Sequence, residues 1–167
     1  GNLPYEECDW IGIHATRMNA HLLRTIFRNI AHPAVLDNPT KPIEGNWSVL
    51  IASGWKPGWS TDYISSLLAK RFNVSDIIDA GNIPYVYDKD PNGEDGENSK
   101  IIKAISWKEY RKLISSRWSP GFSAPIDPIA SKENQKSNIR AIIIDGTDLE
   151  NMENVLKENH FNGTIIS

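Results

Sequence analysis

Four apolar residues, Val49-Leu50-Ile51-Ala52, lead into the glycine-bearing stretch Gly54-Trp55-Lys56-Pro57-Gly58-Trp59-Ser60-Thr61-Asp62, and a helical pattern, Tyr63 to Ala69, follows at once. A strand feeding a glycine loop that opens a helix constrains this part of the chain to an α/β connection. The start of the helix leaves backbone N–H groups unpaired and directed at the loop. Such a place suits an anion, phosphate above all. Neither the Walker A pattern nor G-x-G-x-x-G is present. An ordinary strand-to-helix turn, with Ser60 or Thr61 as N-cap, satisfies the same pattern.

The rest of the chain alternates in the same way. Ile11, Ala15, Met18, Leu22 and Ile26, widened by Leu23, Phe27 and Ile30, predict a helix over 9–30 that His32-Pro33 ends. Short strands are predicted at 34–36, 49–52, 76–80, 141–144 and 164–166, and a helix at 61–72. The stretch from Asp88 to Lys100 is polar, contains Pro91, Gly93 and Gly96, and reads as a mobile surface loop. Ser106-Trp107-Lys108-Glu109 is a capping box for a helix over 107–115, and Thr147-Asp148-Leu149-Glu150 a second one, for a helix to about Glu158. Asp127-Pro128 is an N-cap followed by proline at the first helical position. Strands alternating with helices imply an α/β fold with a mostly parallel sheet, helices on both faces, and ligands at the carboxyl ends of the strands. No internal repeat or composition break divides the 167 residues, so a single domain is expected over 1–167.

A net charge of −3 implies no broad basic face, hence no nucleic-acid partner. Any positive partners of a polyphosphate must be local, with Lys56, Arg17, helix N-termini and a bound metal as candidates. The single cysteine, Cys8, excludes an internal disulfide framework and fits a cytoplasmic protein. No apolar run reaches membrane-spanning length, so no membrane is expected as a partner. His14 reads as packing or surface, and His21, His32 and His160 lack metal-ligand spacing.

Two further segments join the Gly54 loop: Asp9-Trp10-Ile11-Gly12-Ile13-His14-Ala15-Thr16-Arg17-Met18-Asn19-Ala20, and Asn82-Ile83-Pro84-Tyr85-Val86-Tyr87-Asp88-Lys89-Asp90-Pro91. In this order and spacing they resemble the amino-acid-kinase superfamily, and within it the uridylate (UMP) kinases of the archaeal type and their bacterial relatives. Those carry D-x-I-G-I-x-x-T-R-x-N-A, then P-G-x-[ST]-T-D, then N-x-x-x-V-Y-x-x-D-P. Trp118-Ser119-Pro120-Gly121, Asp127-Pro128-Ile129-Ala130 and Gly163-Thr164-Ile165-Ile166 also resemble the family, so the likeness runs over essentially the whole chain.

The resemblance implies the three-layer amino-acid-kinase fold and phosphoryl transfer from ATP to UMP, with Mg²⁺ accompanying ATP. It implies that Asp62 organises the reaction centre. Asp9 would accept from the ribose hydroxyls of UMP, and Trp55, Lys56, Pro57, Gly58, Trp59, Ser60 and Thr61 would wrap UMP. Gly81, Asn82, Tyr87 and Asp90 would line the ATP site. Homo-oligomers, hexamers in relatives, are implied too. Each residue also has a plainer reading. Asp9 could cap the first helix, Asp62 could serve the helix dipole, and Asp90 could belong to an Asp-Pro turn. Tyr87 could be a core aromatic with a wet hydroxyl, and Trp55 and Trp59 could pack beneath the loop instead of stacking on a base.

The pattern departs from the family in one place. Uridylate kinases carry Gly-Gly-Ser and further glycine loops ahead of the D-x-I-G-I segment, and Gly1-Asn2-Leu3-Pro4-Tyr5 does not replace them. The chain is therefore expected to be an N-terminally incomplete kinase domain, inactive by itself if those loops are required. The alternatives are a family member acting on a carboxylate or carbamate, and a non-catalytic nucleotide- or oxyanion-binding protein of the same fold.

Overall fold

The computed structural model describes residues 4–90, 96–114 and 124–167. Of the sequence motifs, Trp118-Ser119-Pro120-Gly121 lies outside these residues, as do Gly1 to Leu3, Pro91, Gly93 and Ser115. The chain divides into two compact units, Gly1–Leu68 and Ala69–Ser167.

The first unit is built on α1 (Tyr5–Ile26), which begins and ends about four residues earlier than its apolar period predicts. Pro4 precedes it, and its carbonyl accepts from Glu7 N and Cys8 N, while Glu6 and Glu7 put negative charge in the first turn, where the helix dipole favours it. Beyond Ile26 the chain continues in turns, with Arg28 N donating to Thr25 O and Ile30 N and Ala31 N to Phe27 O, and the Ile30 carbonyl accepts from Ser48 N and Val49 N. The stripe that identifies α1 is also not the face it buries. Ile11, Met18, Leu22 and Ile26 are 64%, 70%, 61% and 62% exposed, whereas Ile13 and Ala20 are buried.

The strands predicted at 34–36 and 49–52 meet as two isolated parallel bridges, Ala31 to Val49 and Leu36 to Ala52, and not as a ladder. Four residues separate the bridges on one segment and two on the other, and Pro33 supplies no N–H. α2 (Thr61–Arg71) follows, with Ser60 as its side-chain cap: Ser60 Oγ accepts from Tyr63 N at 3.0 Å.

The second unit holds a four-stranded sheet in the order β1 (Asp76–Gly81), β5 (Arg140–Asp145), β6 (Thr164–Ile166), β4 (Ala104–Ile105). β1 and β5 are parallel with Asp76 opposite Arg140 and Gly81 opposite Asp145; β4 and β6 are parallel, and β5 and β6 antiparallel. The sheet is thus mostly parallel. β2 (Val86–Tyr87) and β3 (Ile101–Ile102), two-residue strands too short to leave a periodic signal, pair antiparallel and close the polar loop between them. The Asp88 carboxylate accepts from Lys100 N at 2.7 Å at the mouth of that loop.

Three helices pack with this sheet. α3 (Trp107–Leu113) starts on the capping box, where Ser106 Oγ accepts from Glu109 N. α4 (Pro128–Lys136) starts on Asp127, which accepts from Ile129 N and Ala130 N at 2.6 and 3.0 Å. α5 (Leu149–Leu156) is capped by Asp148 through Asn151 N, one residue later than the capping box at Thr147 predicts. Thr147 instead donates its N–H and hydroxyl to the Asp145 carboxylate in an Asx turn. The core of this unit is Ala141, Ile143, Ile144 and Ile166 of the sheet with Trp107, Tyr110 and Ala130 of the helices, all at most 2% exposed. Its polar tips are satisfied: Trp107 Nε1 donates to the Ile139 carbonyl, and the Tyr110 hydroxyl donates to Ile126 O and accepts from Ile126 N.

Candidate functional site

In the first unit, α1 holds the glycine loop at three successive points. Thr16 Oγ1, which donates to Ile13 O, accepts from Gly54 N at 2.9 Å. Arg17 Nη2 donates to the Trp55 carbonyl at 3.0 Å. Asp9 Oδ2 accepts from Gly58 N at 2.8 Å. Asp9, Thr16 and Arg17 fall on one side of α1 because their spacing of seven and eight residues is about two helical turns. Asp9 lies in the second turn of α1, so its reading as the N-cap of that helix does not hold.

Two glycines make the loop path possible. A Cβ on Gly54 would stand 3.0 Å from Thr16 Oγ1 and 3.3 Å from Ile13 Cγ1, tighter than ordinary contact. Gly58 has φ +79°, which a residue with a side chain adopts only with strain. Aromatic residues gather at the loop and at the start of α2. Trp55 and Trp59 meet edge to face at 4.8 Å, and Trp59 and Tyr63 lie 5.0 Å apart. The Lys56 ammonium sits 4.3 Å from the Trp55 ring centre and 4.7 Å from that of Trp59, a double cation–π contact. Thr61 and Asp62 then begin α2, with Asp62 in its first turn and the Asp62 carbonyl accepting from Ser66 Oγ. Asp9 therefore meets the loop at Gly58, and Asp62 follows the loop in the first turn of α2. Sequence reasoning offered Arg17 as a local cation for a polyphosphate and gave Thr16 no role of its own, whereas both hold the loop, and the signal that marks them is their place in the same motif as Asp9.

In the second unit, Gly81 is the last residue of β1, and its carbonyl accepts from Gly146 N at 2.8 Å. Asn82 and Asp90 are exposed, and Tyr87 is half-buried in β2, edge to face with Tyr85 at 6.3 Å. Tyr87 is therefore a strand residue with a partly exposed ring, not a fully buried core aromatic. Asp145, opposite Gly81, has its carboxyl held below the usual range by the N–H and hydroxyl of Thr147. Asp79, two residues before Gly81, is the group that sequence reasoning missed. Burial pushes its carboxyl up to about 6. The available signal was an acid within the apolar run Ile77-Ile78-Asp79-Ala80. Among the described residues no group of three or more His, Cys, Asp or Glu side chains could hold a metal ion.

Comparison with known proteins places this geometry. Residues 2–145 match the model of the amino acid kinase family. The chain is 35% identical over 158 residues to a uridylate kinase of Methanococcoides burtonii, covering 90% of this chain and 65% of that protein. It is 34% identical over 163 residues to one of Methanococcus aeolicus, covering 96% and 71%. The crystal structure of uridylate kinase from Archaeoglobus fulgidus superposes with a TM-score of 0.79 at 29% identity, covering 99% of this chain and 74% of that one. The chain thus spans about two thirds to three quarters of the length of these relatives. It belongs to the amino acid kinase family, and within that family to the uridylate kinases.

Proposed function

We propose that the chain carries the acceptor site and the nucleotide segment of a UMP kinase, which transfers the terminal phosphoryl group of ATP to UMP and yields UDP and ADP. The observation that carries this reading is the clamp of Asp9, Thr16 and Arg17 on the loop from Gly54 to Gly58. It holds the loop that opens α2, whose first helical N–H groups suit a phosphate. Trp55 and Trp59 offer π faces to a base, and Lys56 supplies a cation beside them. In the second unit, Gly81, Asn82, Tyr87 and Asp90 are proposed to receive ATP.

The chemistry needs little from the protein beyond placement. The attacking atom is a phosphate oxygen of UMP that is already ionised at neutral pH, so no general base is required. Catalysis is then positioning and charge stabilisation. Asp62, fixed in the first turn of α2, is proposed to organise the reacting groups. Mg²⁺ is proposed to arrive on the oxygens of ATP, as a hard cation that prefers phosphate and water. When bound, Mg²⁺ would neutralise charge on the triphosphate.

Cytoplasmic location and self-association belong to the same proposal. No described helix is long and apolar enough to cross a membrane, and the outward stripe of α1 gives an apolar surface to a second copy. Calorimetric titration with UMP, and with CMP as control, tests the acceptor reading. Tighter binding of UMP is expected; equal binding or none by a folded chain would overturn it.

A further inference from the structure

β1 carries two aspartates in unlike surroundings. Asp76 stands opposite Arg140, takes its Nε at 2.6 Å and the Ser75 hydroxyl at 2.7 Å, and is held below the usual carboxylate range by these bonds. Asp79, three residues on and therefore on the other face of the strand, stands opposite Ile143, which is fully buried. Among the described residues no hydrogen-bond donor or cation accompanies it, and burial alone raises its carboxyl to about 6. A half-buried carboxylate without a donor opposes folding. Groups of this kind are characteristic of ligand sites, where the ligand supplies what the fold withholds.

Its position says which ligand. Asp79 and Gly81 lie on the same face of β1, because side chains two apart in a strand do. Asp79 Oδ1 stands 3.6 Å from the point where a Cβ on Gly81 would be. A molecule packed against the bare Cα of Gly81 therefore fills the space next to this carboxylate. That space lies at the carboxyl end of a parallel strand pair, where open α/β sheets bind ligands.

We propose that Asp79 is a nucleoside-contacting residue, whose carboxylate accepts a hydrogen bond from the nucleoside part of the nucleotide seated at Gly81. The inference rests on the reading of the segment from Gly81 to Asp90 as the ATP site. The chemistry restricts the contact further. An ionised carboxylate only accepts hydrogen bonds and repels phosphate, so the partner is an O–H or N–H group. In a purine nucleotide these are the ribose hydroxyls and the exocyclic amine. The triphosphate must run away from Asp79.

The test is calorimetric titration of the chain and of Asp79→Ala with ATP, 2′-deoxy-ATP and inosine triphosphate, which lacks the amine. The wild-type chain is expected to bind one of the two analogues about tenfold more weakly than ATP. The weaker deoxy analogue would identify a ribose contact, and the weaker inosine analogue a base contact. Asp79→Ala is expected to bind ATP and that analogue alike. Asp79→Leu, close to aspartate in shape and without an acceptor, answers the same question should the alanine variant not fold. A folded variant that keeps the wild-type ratios would overturn the contact while leaving the ATP site standing. A wild-type chain that binds none of the three nucleotides would overturn both.

Discussion

The two aspartates of β1 show how far a single neighbour alters a residue. Asp76 has Arg140 beside it, and Asp79 has no cation among the described residues, although both belong to a six-residue strand. The folded-state value of about 6 for Asp79 lies above its ordinary 3.8, so the folded chain holds a proton that the unfolded chain has released. Stability therefore falls as pH rises from about 4 to about 6 and stays lower above that range. Asp79→Asn is expected to match the wild type near pH 4 and to exceed it at pH 8 by roughly 2 kcal/mol, a figure reduced for partial exposure. Urea unfolding at the two pH values measures this, and an equal difference at both would show that the charge is compensated. Asp62 raises a different question. If it organises the reacting groups, Asp62→Asn in an active enzyme lowers kcat by about a hundredfold or more and leaves UMP affinity nearly unchanged. Loss of affinity at unchanged kcat would assign it to binding alone.

Among the elements, α1 serves as a rail for the acceptor loop as well as a packing unit. Its polar residues Asp9, Thr16 and Arg17 reach the loop, and its small and branched residues Ala20 and Ile13 reach the core. Removing the carboxylate of Asp9 leaves Gly58 N without its acceptor and frees the loop at its left-handed glycine. Asp9→Ala is thus expected to weaken UMP binding more than ATP binding, which parallel titrations with the two nucleotides would show. If UMP affinity stays the same and only the melting temperature falls, the contact is structural. The caps behave more simply. Asp127 is buried and satisfies two N–H groups of α4, so Asp127→Ala is expected to cost about 1–2 kcal/mol in chemical unfolding.

At the scale of the whole molecule, the outward side of α1 is the largest departure from what the apolar pattern suggests. Ile11, Met18, Leu22 and Ile26 are each more than half exposed along one helix. Self-association would cover them. Sedimentation is expected to show a species larger than one chain, and Leu22→Glu is expected to return it to the monomer. A wild-type chain that sediments as a monomer would remove this part of the proposal.

Much of this protein is legible in the order of its residues. The glycine loop opening a helix at 61, the caps at Ser106 and Asp127, and the strands at 76–81 and 140–145 follow from local chemistry, because capping, glycine placement and apolar runs act over a few residues, whereas the strand expected at 49–52 forms only isolated bridges. The three motifs are likewise local, and the family they resemble is the family to which the chain belongs. Other features depend on groups far apart in sequence. The seat of the Ile30 carbonyl needs Ser48 and Val49, the hairpin of β2 and β3 needs a pairing across thirteen residues, and the antiparallel placement of β6 needs β5. No local pattern encodes such partners. The same holds for the site. The residue types of Asp9 and Thr16 come from the sequence, but their hold on Gly58 and Gly54 spans 49 and 38 residues. The raised carboxyl of Asp79 likewise depends on which atoms surround it, and that is a property of the folded chain alone.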